Sequence, residues 1–227
     1  MMGRTNQFWH LTYPESTSGQ AQWLRGAVEL ESVTCSLTPD HQRAGKRLST
    51  LTVTLPNRPV DEIVWTWYSE CLIQESVVRL FESHGFTGYE LQPAQAVYRH
   101  AGNRRPPVLR ELLVTGWSGM AAPESGIRLL QRCPVCRHAV YSCFAVADNL
   151  IDKSKWDGSD FFMVWPLPNF IFVTDRVCQA LRTAGFRGFR LMPVSSLRCE
   201  GTLTPGRLSY VMPEDRARRL GEALGIF

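Results

Sequence analysis

Short apolar runs separated by turn residues recur along the chain and predict a mixture of strands and helices. The run at 169–173 is rich in aromatic and β-branched residues, which predicts a buried strand. Apolar residues then follow at the i, i+3, i+4, i+7 spacing of one helix face, namely Val177, Ala180, Leu181 and Ala184. Gly185 stands where a helix can end in the left-handed conformation, and Phe189 and Leu191 alternate as a second strand that ends at Pro193. The pattern predicts a strand–helix–strand unit.

The same pattern occurs in the first half of the chain. Residues 77–93 read VVRLFESHGFTGYELQP and residues 177–193 read VCQALRTAGFRGFRLMP. Six of these seventeen positions are identical, whereas roughly one identity is expected by chance. The likeness continues upstream, where Trp65 falls on Trp165. We therefore predict an internal duplication with Gly85 at the end of the first helix. Two unrelated helix ends that share Gly-Phe-x-Gly are the alternative.

The duplication predicts an α+β protein, in which two diverged strand–helix–strand repeats flank a split, zinc-ribbon-like pair of cysteine knuckles. We expect residues 1–120 to hold the first repeat, a degenerate knuckle and a basic, proline-containing linker. Residues 121–227 would hold the second repeat, a CxxC knuckle and a C-terminal helix. The two copies can pair about a pseudo-twofold axis or lie side by side, and the sequence leaves both arrangements open.

Composition narrows the class of protein without deciding its function. The net charge is only +4, and proteins that bind nucleic acid usually carry a strongly basic face. No apolar run approaches the ~20 residues that span a bilayer, and the N-terminus lacks the apolar core of a signal peptide. We expect a cytoplasmic protein that contacts no membrane. In that reducing compartment its seven cysteines would be thiols or metal ligands rather than disulfides.

Cys133 and Cys136 form a C-x-x-C with a proline inside, which is the usual shape of a zinc knuckle. Carrying the repeat upstream with a one-residue shift aligns Cys35 with Cys136 and Ser32 with Cys133. The chain would then supply three thiolates to one site, whereas a structural zinc ion takes four ligands. A decayed site that binds nothing and is held by packing is the alternative.

The fourth donor is open among His138, Cys143 and His41, which are nearest to the three cysteines in sequence. We include His138 in the predicted zinc site. Cys71 and Cys178 fall on predicted core positions, and we expect both to be buried apolar side chains rather than ligands.

Two segments are candidates for contact with a partner. Arg104 and Arg105 form a compact basic cluster, which is either a solvated loop or a surface for an acidic partner. In the segment 156–162, Trp156 offers an aromatic anchor, and Asp157 and Asp160 could hold a cation or a basic group of a partner. An Asx-type turn explains the two aspartates equally well. These five residues are the predicted partner-binding residues.

Signatures of common catalytic sites are absent from the sequence. No histidine is followed by x-Glu, as the zinc nucleobase deaminases require. There is also no H-E-x-x-H, G-x-S-x-G, phosphate loop or G-x-G-x-x-G. We therefore predict a protein that acts by binding and is not an enzyme. An enzyme with an unrecognised cysteine or histidine centre stays open as an alternative.

Several motifs, taken in order, resemble the double-CXXCG motif family of myxobacteria, which includes immunity proteins of swarming-inhibition toxins. The matching motifs are PP at 106–107 leading into LRELLV at 109–114, CPVC at 133–136, SDFF at 159–162, FIFVTDR at 170–176 and GFRG at 185–188. The resemblance covers most of residues 30–195. The chain departs from the family at the glycine after each knuckle, where Ser36 and Arg137 stand, and at Ser32, which replaces a cysteine.

The resemblance implies an immunity (antitoxin-like) protein that binds a cognate bacterial toxin in the cytoplasm and neutralises it. The alternative is a zinc-ribbon-like nucleic-acid-binding protein. That function would need the basic residues of 99–110 and of the C-terminal helix to form one face. A steep fall of affinity with salt would identify it. Neither the toxin nor the oligomeric state follows from the sequence.

Overall fold

The computed structural model describes residues 7–16, 20–100 and 104–227, and within these ranges the chain is a mixed α+β protein, as predicted. Its strands are β1 (Phe8–Thr12), β2 (Gln22–Trp23), β3 (Leu30–Val33), β4 (Arg43–Arg47), β5 (Thr52–Leu55), β6 (Ile63–Trp65), β7 (Cys71–Gln74), β8 (Tyr89–Tyr98), β9 (Leu109–Val114), β10 (Trp117–Met120), β11 (Leu129–Arg132), β12 (Ala139–Ser142), β13 (Phe161–Trp165), β14 (Ile171–Thr174), β15 (Arg190–Pro193) and β16 (Thr202–Leu203). Its helices are α1 (Glu75–Ser83), α2 (Asp175–Ala184) and α3 (Glu214–Gly221). None of these helices combines the length and apolar character needed to cross a bilayer.

The first predicted unit lies in a six-stranded sheet of order β2-β5-β8-β9-β7-β6. Helix α1 connects β7 to β8, and these two strands are not neighbours. Strand β9 lies between them and pairs antiparallel with both. The apolar stripe of α1 buries Val77, Val78 and Phe81 against the sheet.

The second predicted unit lies in a five-stranded sheet of order β10-β13-β14-β1-β15. Helix α2 connects β14 to β15, and again another strand separates the two. Here that strand is β1, which pairs antiparallel with both neighbours and is buried along its whole length. The strand that completes the second unit therefore comes from the N-terminal part of the chain.

The two units share one order of elements. In each, an antiparallel strand pair leads into a helix and a further strand, and a strand from elsewhere in the chain fills the gap. Gly85 and Gly185 follow the two helices with φ values of 59° and 67°, as predicted for residues that end a helix in the left-handed conformation. The common origin of the two units stays a prediction.

The units contact each other through reciprocal backbone hydrogen bonds. The N–H of Phe161 at the start of β13 donates to the carbonyl of Thr87 at 3.0 Å, and the N–H of Ile63 at the start of β6 donates to the carbonyl of Arg187 at 3.2 Å. The turn after each helix thus binds the first strand of the opposite unit. This reciprocity is the relation expected of a pseudo-twofold pair.

At Gly88 and Gly188 the turn after each helix lies directly against the backbone of the opposite unit. Both have φ values in the left-handed region, at 85° and 89°. A Cβ at Gly88 would overlap the carbonyl oxygen of Phe161, and one at Gly188 would overlap the carbonyl oxygen of Ile63. The Gly-Phe-x-Gly motif therefore has two tasks, because its first glycine ends a helix and its second admits the backbone of the other unit.

A disulfide joins Cys143 and Cys199, whose Cα atoms are 5.5 Å apart. The expectation that all seven cysteines are thiols or metal ligands is wrong for these two. The cause is strand pairing, since β12 and β16 are antiparallel and Ser142 lies opposite Thr202, which brings the flanking cysteines together. Cys71 and Cys178 are free and buried, as predicted.

Substitution of the motif glycines by alanine tests the contact between the units. Gly185→Ala meets no atom within 4 Å and should lower the free energy of unfolding by roughly 1 kcal/mol, the cost of its positive φ. Gly188→Ala has a similar φ and also overlaps backbone, so we expect a loss of roughly 3 kcal/mol or more. Urea unfolding measures both, and equal losses would contradict a close backbone contact at Gly188.

Candidate metal centre

The first pair of candidate donors lies on the hairpin of β3 and β4. Cys35 follows β3, and His41 ends a short 3₁₀ turn, Pro39–His41, that leads into β4. The side chain of Gln42 holds the loop, because it accepts from the N–H of Cys35 at 2.9 Å and donates to the carbonyl of Cys35 at 3.0 Å. This pair of hydrogen bonds keeps the two donors on one side of the loop.

The second pair lies on the hairpin of β11 and β12. The N–H of Cys133 donates to the carbonyl of His138 at 2.8 Å, and the N–H of Arg137 donates to the carbonyl of Cys133 at 3.1 Å. The turn closes with Arg137 in the left-handed region, at a φ of 57°. Cys133 and Cys136 are thereby aimed at one point, as predicted for a zinc knuckle.

The two hairpins meet so that four donors converge. One ligand atom from each of Cys35, His41, Cys133 and Cys136 lies within 4.8 Å of the others, the three cysteines are buried, and His41 is only 9% exposed. The predicted convergence of Cys35 with Cys133 and Cys136 is confirmed, although 98 residues separate Cys35 from Cys133. The cluster could hold a metal ion.

The spacing of the donor atoms can be compared with tetrahedral coordination. A tetrahedron with Zn–S distances of ~2.3 Å and Zn–N distances of ~2.0 Å has S–S edges of about 3.8 Å and S–N edges of about 3.5 Å. The sulfur atoms of Cys35 and Cys133 are 3.8 Å apart, and the sulfur of Cys136 lies 3.6 Å from Nδ1 of His41. These two edges fit the tetrahedron without any rearrangement.

Hydrogen bonds at the cluster favour thiolates, the form that binds metals. The backbone N–H of Cys136 lowers the pKa of the Cys133 thiol below its ordinary value. Burial acts to raise the pKa of Cys136, but hydrogen bonds from the His138 backbone and the Arg43 guanidinium outweigh burial and lower this pKa to about 6. The hydrogen bond to Cys133 raises the pKa of His41. A metal ion would take the place of the proton that His41 shares with the thiolates.

Arg43 supplies a contact that the sequence did not indicate. Its guanidinium lies 3.6 Å from the sulfur of Cys136 and donates to the carbonyl of His41 at 2.9 Å. Three thiolates and a divalent ion carry a net charge of −1, which the guanidinium offsets. The only feature of the sequence that could have indicated this contact is the position of Arg43, two residues after the donor His41 and at the start of a strand.

His41 occupies the place in the cluster that we had assigned to His138. The His138 ring lies next to it, with 4.7 Å between the ring centroids, and burial lowers the pKa of His138. Cys143, the third candidate, is in the disulfide. Ser32 does not stand in for a knuckle cysteine, because it lies exposed on β3 opposite Ala44 and the neighbouring Val33 takes the buried side.

The predicted basic partner residues lie away from the cluster. Arg104 and Arg105 are exposed, and the Arg104 guanidinium lies 5.0 Å from the centre of the Tyr98 ring. Of the C-terminal basic residues, Arg216 pairs with Asp157 at 2.8 Å and Arg218 pairs with Glu214 at 3.1 Å.

The predicted partner residues of the segment 156–162 make contacts inside the protein. Trp156 packs at 5.1 Å from the Phe8 ring, and its indole donates to the carbonyl of Ser159. Asp157 accepts from the N–H of Ser159 at 3.1 Å, which is the Asx turn given as the alternative reading. Asp160 is buried, pairs with Arg176 and accepts from the N–H of Thr87 in the other unit.

Comparison with protein-family models and with curated protein sequences finds no match for this chain.

The conformation of Arg137 yields a prediction about stability. A non-glycine residue in the left-handed region costs roughly 1 kcal/mol, and Arg137 has a φ of 57°. We expect Arg137→Gly to raise the free energy of unfolding by about 0.5–1 kcal/mol without loss of the cluster. Arg137→Ala removes the same side chain but keeps the Cβ, so it should not stabilise. Equal effects of the two substitutions in thermal unfolding would contradict backbone strain as the cause.

Proposed function

We propose that Cys35, His41, Cys133 and Cys136 form a structural zinc centre in a protein that acts by binding another protein. The observation that carries the first part is the set of four converging donors, two of whose separations match tetrahedral coordination. Thiolate and imidazole ligands in this geometry suit zinc better than the oxygen-seeking ions Mg²⁺ and Ca²⁺.

Four protein donors fill the coordination sphere of a tetrahedral zinc ion, so no position is left for a water molecule or a substrate. The residues around the cluster fit a structural role. Val33 and Tyr210 pack against the cysteines, and Arg43 compensates the charge. The ion would join two hairpins that share no strand pairing, because β3 pairs only with β4 among the described strands. Its binding free energy would then stabilise their junction.

The binding function itself rests on the resemblance to immunity proteins. Two of the motifs that carry this resemblance lie where the two units meet. Asp160 of the SDFF motif contacts the turn of the first unit, and the GFRG motif contacts β6. We propose that the protein is an antidote that binds a cognate toxin and occupies the surface that the toxin needs. Trp67 and Tyr68 are 61% and 62% exposed, and exposed aromatic residues are frequent anchors of protein interfaces.

Metal analysis tests the zinc centre. Protein purified without chelator should contain about one zinc ion per chain, and His41→Ala should lose most of it. His138→Ala is the matched control, because this histidine lies beside the cluster but outside the donor set. A chelator should lower the melting temperature of the native protein and change that of His41→Ala much less. Retention of zinc in His41→Ala with loss in His138→Ala would show that the wrong histidine has been assigned.

Co-expression tests the antidote function. The product of the neighbouring gene should slow growth when expressed alone and should be harmless beside this protein, and the two should co-purify as a stoichiometric complex. An innocuous neighbour, or protection without a complex, would contradict the proposal. Binding to DNA or RNA that weakens steeply between about 50 and 200 mM salt would favour the nucleic-acid alternative instead.

A further inference from the structure

A cleft of about 610 Å³ lies between the two units, on the side of the cluster where Arg43 and Tyr210 stand. Strands β4 and β9 of the first unit and the segment 204–213 of the second line it. The volume is in the range of pockets that enclose a small molecule or a large side chain. The tip of the β6–β7 hairpin, with Tyr68, Ser69 and Glu70, also lines the cleft.

Two carboxylates in the cleft share one guanidinium. Arg47 makes its close contact with Glu111, which is only 3% exposed, while its distance to Glu70 is 3.8 Å. Glu70 otherwise accepts from the Trp23 indole at 3.3 Å and from the Thr66 hydroxyl. Burial raises the pKa of Glu70, and this effect outweighs the Trp23 hydrogen bond and the Arg47 charge, which act to lower the pKa. Glu70 is thus a partly buried acid whose cationic partner, Arg47, lies 3.8 Å away and binds Glu111 more closely.

The other charged groups that line the cleft have partners of their own. Arg43 contacts Cys136 and His41, and Lys46 lies 3.8 Å from Glu214. The excess negative charge is therefore local to Glu70 and Glu111.

An aromatic wall stands beside these carboxylates. The rings of Trp23 and Tyr68 stack with centroids 4.0 Å apart and an interplanar angle of 29°. The turn that presents Tyr68 is held by hydrogen bonds from the N–H groups of Tyr68 and Ser69 to Thr66. Ser69 in the same turn adopts a φ of 70°, which is an unfavourable backbone conformation for a residue other than glycine.

We propose that this cleft binds an arginine side chain of a partner protein, with the guanidinium beside the Glu70 carboxylate and stacked on the exposed ring of Tyr68. An arginine satisfies both features at once, because its planar guanidinium stacks on aromatic faces and forms paired hydrogen bonds with a carboxylate. Trp67 on the same turn is exposed and would pack beside the arginine on the partner surface. The inference rests on the proposed function, in that it names the chemistry of the protein partner.

Titration of the full-length protein with short peptides tests this site. The probes are acetyl-Gly-Arg-Gly-amide, its lysine counterpart and its citrulline counterpart, and the readout is the indole N–H resonances of Trp23 and Trp67 in ¹H–¹⁵N spectra. We expect saturable binding of the arginine peptide with a dissociation constant of about 1–10 mM. The lysine peptide should bind more weakly, and the neutral citrulline peptide at least about tenfold more weakly.

Substitutions at the cleft separate charge from stacking. Glu70→Gln keeps the shape but removes the charge, and Tyr68→Ala removes one exposed ring, so each should weaken binding of the arginine peptide by about tenfold or more. Asp148→Asn is the matched control, because it removes an exposed carboxylate that does not line the cleft. Should Glu70→Gln fail to fold, Tyr68→Ala still decides, since that side chain is largely exposed.

Three results would overturn the site: no peptide shifts the indole resonances at about 20 mM, arginine and citrulline peptides bind equally, or both cleft variants bind like the native protein. A toxin that co-purifies equally well with the native protein and with both cleft variants would also overturn it, while the proposed function would stand. Specific arginine binding without any toxin partner would instead leave the site standing and overturn the proposed function.

Discussion

The close backbone contact at Gly88 and Gly188 is the constraint on which the rest of the structure depends. Each glycine lets the turn after a helix reach the first strand of the opposite unit, and the carbonyls of Thr87 and Arg187 accept hydrogen bonds from that strand. Because the two contacts are reciprocal, they set both the distance and the orientation of the units. Side chains complete the junction. The buried Asp160 carboxylate accepts from the N–H of Thr87, in the turn after α1, and also pairs with Arg176 at the start of α2. The cleft lined by β4, β9 and the segment 204–213 lies between the units held in this way.

The cysteine cluster fastens a different part of the molecule. Its hairpins are short, and the β3–β4 pair is a sheet of two strands that would be marginal by itself. A zinc ion held by Cys35, His41, Cys133 and Cys136 would supply the stability that so small a sheet lacks. Arg43 links this centre to the cleft, since it touches Cys136 and also lines the cavity that holds Glu70. The proposed metal site and the proposed partner site would therefore be adjacent, with Arg43 in contact with both.

The candidate site was partly predictable from the sequence. The C-x-x-C spacing identifies Cys133 and Cys136, and the predicted repeat adds Cys35 through its alignment with Cys136. The fourth donor was not predictable, since His41 and His138 are both near in sequence and their rings lie side by side. Only the path of the 3₁₀ turn, Pro39–His41, decides between them. The alignment of Ser32 with a knuckle cysteine failed for a related reason, because strand β3 continues through Val33 and turns Ser32 to solvent.

By itself the sequence determined the local elements of the fold. Apolar periodicity and helix-ending glycines predict β14, α2 and β15, since these features depend on neighbours a few residues apart. Tertiary structure alone decided three things that join distant parts of the chain. These are the insertion of β1 between β14 and β15, the pairing of Cys143 with Cys199, and the engagement of Asp157 and Asp160 with Arg216 and Arg176. Each depends on contacts between residues that are far apart in the sequence, and the local pattern of apolar and polar residues does not specify such contacts.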